Sequence, residues 1–175
     1  MKTAECVSPK HPDKLCDRIS DKLLDLYLEG DPYSRCAIET MGGHGKVFIT
    51  GEVTSKTELS DEEIKQVVKE ISDIDDVTIH LVQQSREIAQ GVDTGGAGDQ
   101  GIMIGYACRE NEEYLPQEYF LARELNKFVY EKFPFDGKTQ ITMNQESVRV
   151  VCSFQNAPKE ELVKLVKEFF ENYKQ

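Results

Sequence analysis

Two similar α+β layers, each a mostly antiparallel sheet with helices on one face, are what this 175-residue sequence predicts. Three observations lead there. Apolar positions switch between a helical and a strand period in nearly the same order in both halves of the chain. Each half holds two strand-like segments around a short turn-forming stretch. Hydrophobic residues make up 39% of the chain, enough for a core, yet no apolar run approaches a membrane span.

Residues 2–7 read as a short strand. From 12 to 29, Leu15, Ile19, Leu23, Leu26 and Tyr27 fall on one helical stripe, and Gly30-Asp31-Pro32 ends that helix. Strands at 34–41 and 46–54 flank Gly42-Gly43-His44-Gly45, where glycine permits the positive φ of a tight hairpin. Ser60-Asp61-Glu62-Glu63 has the form of a capping box and opens a helix carrying Ile64, Val67, Val68 and Ile71. Residues 77–82 read as another strand. The stretch 83–98 holds Gly91, Gly95, Gly96 and Gly98 and shows neither period, so a mobile loop is expected. Beyond it, 101–108 reads as a strand and 116–132 as a helix with Leu121, Leu125, Phe128 and Val129 inward. Residues 138–143 and 147–154 make a hairpin around Asn144-Gln145-Glu146. Ala157-Pro158-Lys159 opens a last helix striped by Leu162, Leu165, Val166, Phe169 and Tyr173. The expected division is a domain at 1–88, a gating loop or linker at 89–98 and a domain at 99–175. The last apolar stripe has no strand after it; either the fold ends there or another chain completes it.

Charge and cysteines narrow the function. A net charge of −11 argues against nucleic acid or an anionic membrane as partner, since both need a basic surface. The N-terminus lacks the apolar segment of a secretory signal. Five scattered cysteines (Cys6, Cys16, Cys36, Cys108, Cys152) without Cys-x-x-Cys spacing read as reduced, mostly buried thiols of a cytoplasmic protein.

Chemistry concentrates in a few stretches. Ser8-Pro9-Lys10-His11-Pro12-Asp13-Lys14 opens the first helix, with Pro12 suited to its first turn. Free N–H groups and the positive dipole end there favour an anion, a metal-bound polyphosphate in particular, although a solvated cap has the same composition. Glu39 and Glu52 stand within otherwise apolar or small strand residues. Lys138 suits a phosphate ligand or a strand-edge lysine. Gly95-Gly96-Ala97-Gly98-Asp99-Gln100-Gly101 allows close backbone approach to a ligand and is neither a Walker loop nor Gly-x-Gly-x-x-Gly.

Taken together, these stretches resemble the front portion of methionine adenosyltransferase, the S-adenosylmethionine synthetase family. The resemblance is carried by His11-Pro12-Asp13-Lys14, Ile38-Glu39-Thr40, Gly51-Glu52-Val53-Thr54, Gln84-Ser85, Gln90-Gly91-Val92-Asp93, Gly96-Ala97-Gly98-Asp99-Gln100-Gly101 and Lys138-Thr139-Gln140, in the family's order. It implies the synthetase fold with its third domain missing. It also implies a transferase joining ATP to L-methionine, with release of tripolyphosphate. His11, Lys14 and Lys138 would be catalytic. His11, Lys14, Asp136, Gly137, Lys138 and Asp99 would hold ATP, and Glu52, Gln84 and Asp99 would hold methionine. Asp13 would ligate Mg2+ and Glu39 K+. Gln84, Ile88, Gly91 and Asp93 would belong to a gate over the site.

The chain departs from the family in having Ser8-Pro9-Lys10 before the His-Pro-Asp-Lys motif, Gly137 in place of Ala, and a short gate. Motifs of the family's later part are absent. The expectation is one subunit of a hetero-oligomer whose second subunit carries the missing C-terminal domain. The alternative is a non-catalytic nucleotide-binding or regulatory remnant.

Overall fold

The computed structural model of the chain describes residues 1–93 and 95–173, apart from the side chains of Arg86 and Ile88. Ile88, expected at the tip of the gate, therefore lies outside the described side chains. The chain forms two compact units, one of residues 15–104 and one of residues 1–14 with 105 onward.

In the unit of residues 15–104, the body of α1 (Pro12–Gly30) and the whole of α2 (Asp61–Ser72) are packed with a sheet ordered β2-β3-β4. The strands β2 (Arg35–Gly43) and β3 (Lys46–Thr54) pair antiparallel. His44 and Gly45 turn between them with φ of 50° and 79°, the two positive values a twisted two-residue hairpin needs. Ser60 caps α2 in a complete capping box with Glu63. The chain then returns to β4 (Asp76–Val82), which lies parallel to β3. Helix residues Ile19, Leu23, Ile64, Val67 and Val68 meet Val47 and Ile49 in the core.

The other unit interleaves the chain. The first strand, β1 (Lys2–Val7), pairs antiparallel with β5 (Gly137–Met143), which pairs with β6 (Val148–Phe154). Residues 1–14 are thus grouped with the second half rather than with residues 15–88. The helices α4 (Gln117–Lys132) and α5 (Lys159–Tyr173) cover one face of this sheet, around Leu121, Ala122, Leu125, Val129, Ile141, Phe154 and Leu165. Thr139 and Asn126 are buried polar residues at the centre. The Asn126 amide donates to the Cys6 carbonyl at 3.1 Å and to Thr139 Oγ1 at 3.3 Å, and Thr139 Oγ1 donates to the Ala122 carbonyl at 2.7 Å. One polar knot therefore joins β1, β5 and α4, with its polar groups satisfied as burial demands.

Three expectations change. The stretch 83–98 is not all loop: α3 (Arg86–Asp93) crosses it. It is only eight residues long with Gly91 inside, too short for a readable period. Its end is marked by Gly95 (φ 88°) and by bonds from Gly96 N–H to the Gly91 carbonyl and from Gly95 N–H to the Val92 carbonyl. The expected strand at 101–108 has no partner strand among the described residues, and Ile102, Met103 and Ile104 are 90–91% exposed. The cysteines are free but half-buried rather than buried. Cys152 lies on the outer strand β6, and burial still pushes its thiol up to about 11.

Replacing Thr139 by Val keeps the shape and removes the hydroxyl. We expect a loss of about 1–3 kcal/mol in denaturant unfolding, because the Asn126 amide and the Ala122 carbonyl lose a buried partner.

Candidate functional site

The expected residues fall into two groups, one on each unit. The first is built around Ser8, which is fully buried. Its N–H donates to the Gly137 carbonyl at 2.8 Å, and its hydroxyl donates to the Phe135 carbonyl at 2.9 Å and accepts from Gly137 N–H at 3.0 Å. Its carbonyl accepts from His11 N–H at 3.0 Å. Every polar group of Ser8 is thus used to fix the end of β1 against the start of β5. The consequence is that His11-Pro12-Asp13-Lys14 stands beside Asp136-Gly137-Lys138, two stretches 122 or more residues apart in the chain (136 less 14).

Within this group His11 occupies the cap of α1. Its Nδ1 accepts from Asp13 N–H at 3.2 Å. An imidazole whose Nδ1 accepts that bond bears, when neutral, its hydrogen on Nε2. The Asp13 carboxylate lies 3.7 Å from the same Nδ1, too far to compete with that cap bond, and is 80% exposed. Lys138 Nζ pairs with Glu5 Oε1 at 2.8 Å in an exposed contact. Asp136 is tied to Gln155 through its carbonyl (2.8 Å) and its Oδ2 (3.2 Å). A Cβ at Gly137 would run into the ring of Phe154, which explains glycine at this position.

The second group lies on the face of the β2–β3 hairpin opposite the one that packs on α1 and α2. Register places Glu39 opposite Thr50 and Ala37 opposite Glu52, so both carboxylates share that face, diagonal to one another. Gly51, at φ 145°, approaches the Ala37 carbonyl so closely that a Cβ there would collide with it. Arg35 links two expected residues: its Nε donates to Gln84 Oε1 at 3.2 Å and its Nη1 to Asp93 Oδ1 at 2.8 Å. It thereby fastens the last residue of α3 to the start of β2. Asp99 is exposed, and its Oδ1 accepts from the N–H of Gln100 at 2.7 Å.

Sequence reasoning included Ser8 only as the first residue of the helix-opening stretch, without a role, and passed over Arg35. Ser8 carried a signal, a small polar residue at the junction of a strand and a helix cap. Arg35 carried none. Among the described residues there is no cluster of three His, Cys, Asp or Glu able to cage a metal. Asp13 suits Mg2+ only as one carboxylate beside phosphate oxygens, which is a common way for this ion to bind.

The S-adenosylmethionine synthetase N-terminal domain pattern matches residues 1–94, and the central domain pattern matches 94–173. The chain belongs to the S-adenosylmethionine synthetase family. It is 39% identical over 174 residues to the S-adenosylmethionine synthase of Parvibaculum lavamentivorans, covering 85% of this chain and 45% of that protein. It is 40% identical over 165 residues to S-adenosylmethionine synthase 2 of Rhodospirillum rubrum, covering 81% and 42%. A solved structure of an unusual S-adenosylmethionine synthetase from Campylobacter jejuni superimposes with a TM-score of 0.77 at 32% identity, over 97% of this chain and 52% of that one. The chain spans a little under half the length of the curated relatives it matches. The α+β fold expected from the sequence is the fold of that solved structure.

Ser8→Ala removes the hydroxyl partner of the Phe135 carbonyl and of the buried Gly137 N–H. It is expected to cost about 1–3 kcal/mol and to speed hydrogen exchange at Gly137. Gly137→Ala is expected to destabilise by a similar amount, about 1–3 kcal/mol, through overpacking against Phe154. Equilibrium unfolding of both variants measures each effect.

Proposed function

We propose that this chain is the ATP- and methionine-binding subunit of a methionine adenosyltransferase, completed by a second polypeptide that carries the C-terminal domain. The observation that carries the reading is the Ser8 clamp, which sets a helix N-terminus, His11 and Lys14 beside Asp136-Gly137-Lys138. The companion group of Glu39 and Glu52 on one face of the β2–β3 hairpin, with Gln84 held by Arg35, supplies polar contacts for the amino acid.

The reaction sets the requirements. Methionine sulfur attacks C5′ of ATP with its lone pair, the C5′–O bond breaks, and tripolyphosphate leaves with the electron pair. No proton has to be removed from the nucleophile, so alignment and stabilisation of the growing negative charge decide the rate. His11 Nε2–H donates to the leaving oxygen, in the tautomer fixed by the Asp13 N–H. Lys14 and Lys138 bring positive charge to the triphosphate. Lys138 exchanges Glu5 for phosphate at small cost, since exposed ion pairs contribute about 0–1 kcal/mol. Asp13 would hold Mg2+ together with phosphate oxygens, and the ion supplies charge neutralisation of the tripolyphosphate. Glu39 would take K+. Glu52 and Gln84 orient methionine, and Asp99 contacts both substrates. The α3 segment, with Gly91 and Asp93, acts as the gate, held by Arg35. The working compartment is the cytoplasm.

The test combines the purified chain with the part of the Parvibaculum lavamentivorans enzyme that it does not match. S-adenosylmethionine is then measured from ATP and methionine. The pair should turn over, the chain alone should not, and His11→Ala should lower the rate by about 100-fold or more. Equal turnover by the His11→Ala pair would defeat the catalytic assignment. Full turnover by the chain alone would defeat the need for a partner.

A further inference from the structure

The unit of residues 15–104 holds a cavity of about 650 Å3, within the range of small-molecule sites. Tyr27 near the end of α1, the loop from β3 to α2, the first turn of α2 and the last residues of β4 surround it. None of the residues of the two groups described above lines it.

The loop on its border is fixed by its own hydrogen bonds. The Asp31 carboxylate, 7% exposed, accepts from the N–H of Tyr33 at 3.1 Å and of Lys56 at 3.0 Å. Ser55 Oγ accepts from Thr57 N–H at 2.9 Å, and Thr57 Oγ1 donates to the Tyr27 carbonyl at 3.3 Å. The cavity is therefore formed in the chain by itself, and a ligand would meet walls already in place.

Its lining combines three kinds of surface. Leu59, Ile79 and Leu81 make an apolar side that packs on the core. Tyr27 is 5% exposed, and its Oη has no hydrogen-bond partner among the described residues. A buried hydroxyl ordinarily has one. Burial pushes this phenol up, so Oη stays neutral and can donate or accept. Glu58 and Asp61 are exposed carboxylates with no ion-pair partner among the described residues. Among those residues no lysine or arginine lines the cavity. His80 alternates with Ile79 and Leu81 and so faces the other side of the sheet. The N-terminus of α2 lies at the border, but Ser60 and Glu63 cap it and acidic residues occupy its first turn, which disfavours an anion there.

We propose that this cavity binds a short aliphatic amine with a hydroxyl at its far end. The ammonium meets Glu58 and Asp61, the hydrocarbon lies along Leu59, Ile79 and Leu81, and the hydroxyl gives Tyr27 Oη its partner. Charge-assisted bonds to the two carboxylates select for the cation. The buried phenol selects for the hydroxyl, because an alkyl end would leave Oη unpaired.

Titration of the isotope-labelled chain with aminopentanol, followed by backbone amide NMR, tests this. The amides of Glu58, Leu59, Asp61 and Leu81 should shift together and saturate with one dissociation constant. Pentanol and pentanoate should bind about tenfold more weakly or worse. The double variant Glu58→Gln with Asp61→Asn changes two exposed positions, so it should keep the melting temperature of the chain and lose about tenfold or more in affinity. Tyr27→Phe should bind aminopentanol no better than it binds pentylamine, whereas the parent chain prefers aminopentanol. Absence of saturable shifts at these four amides overturns the proposal, as do equal shifts with pentanoate. Unchanged affinity in the double variant, or an undiminished preference for aminopentanol in Tyr27→Phe, overturns it as well.

Discussion

A single buried hydroxyl sets the position of the candidate residues at the start of α1 beside those at the start of β5. Ser8 closes β1 onto β5 with its N–H and Oγ while its carbonyl starts the turn into α1. Ser8 extends the β1–β5 ladder, which pairs Val7 with Lys138, to the turn that precedes the cap residue His11. Burial makes the arrangement stiff, because each freed backbone group would cost about 1–3 kcal/mol. The Thr139–Asn126 knot secures the next layer inward, so the clamp rests on a satisfied polar core rather than on loops.

This placement resolves a tension in the composition. A chain with net charge −11 is a poor long-range attractor of polyphosphate. Locally the balance differs, since a helix N-terminus, His11, Lys14 and Lys138 are gathered within one unit, and Lys138 is held meanwhile by Glu5. The carboxylates Glu39 and Glu52 fall on the other unit, where an amino acid ammonium or a monovalent cation is the matching charge. On the proposed reading each unit carries one chemistry.

Much of this was legible in the residue pattern, and the exceptions share a cause. The helices α1, α2, α4 and α5 and both hairpins are long enough to show a period, and Ser60 and Glu63 announce their cap directly. The motifs His11-Pro12-Asp13-Lys14 and Gly96-Ala97-Gly98-Asp99-Gln100-Gly101 carried the family, which the domain matches show. What the pattern could not reveal was pairing at a distance. Nothing local says that residues 2–7 take residues 138–143 as partner, that Arg35 reaches Gln84 and Asp93, or that Ile102 to Ile104 find no strand beside them among the described residues. The short helix α3 escaped for lack of length, although Gly95 and Gly96 already mark its end.

The central claim is that one clamped unit holds the leaving triphosphate. Titration of the isotope-labelled chain with magnesium tripolyphosphate, followed by backbone amide NMR, tests it most directly. The account predicts that the amides of His11, Asp13, Lys14, Gly137 and Lys138 shift together with one dissociation constant, and that the shifts are lost in Ser8→Ala. Shifts confined to exposed lysines elsewhere on the chain, with these five unmoved, would contradict it.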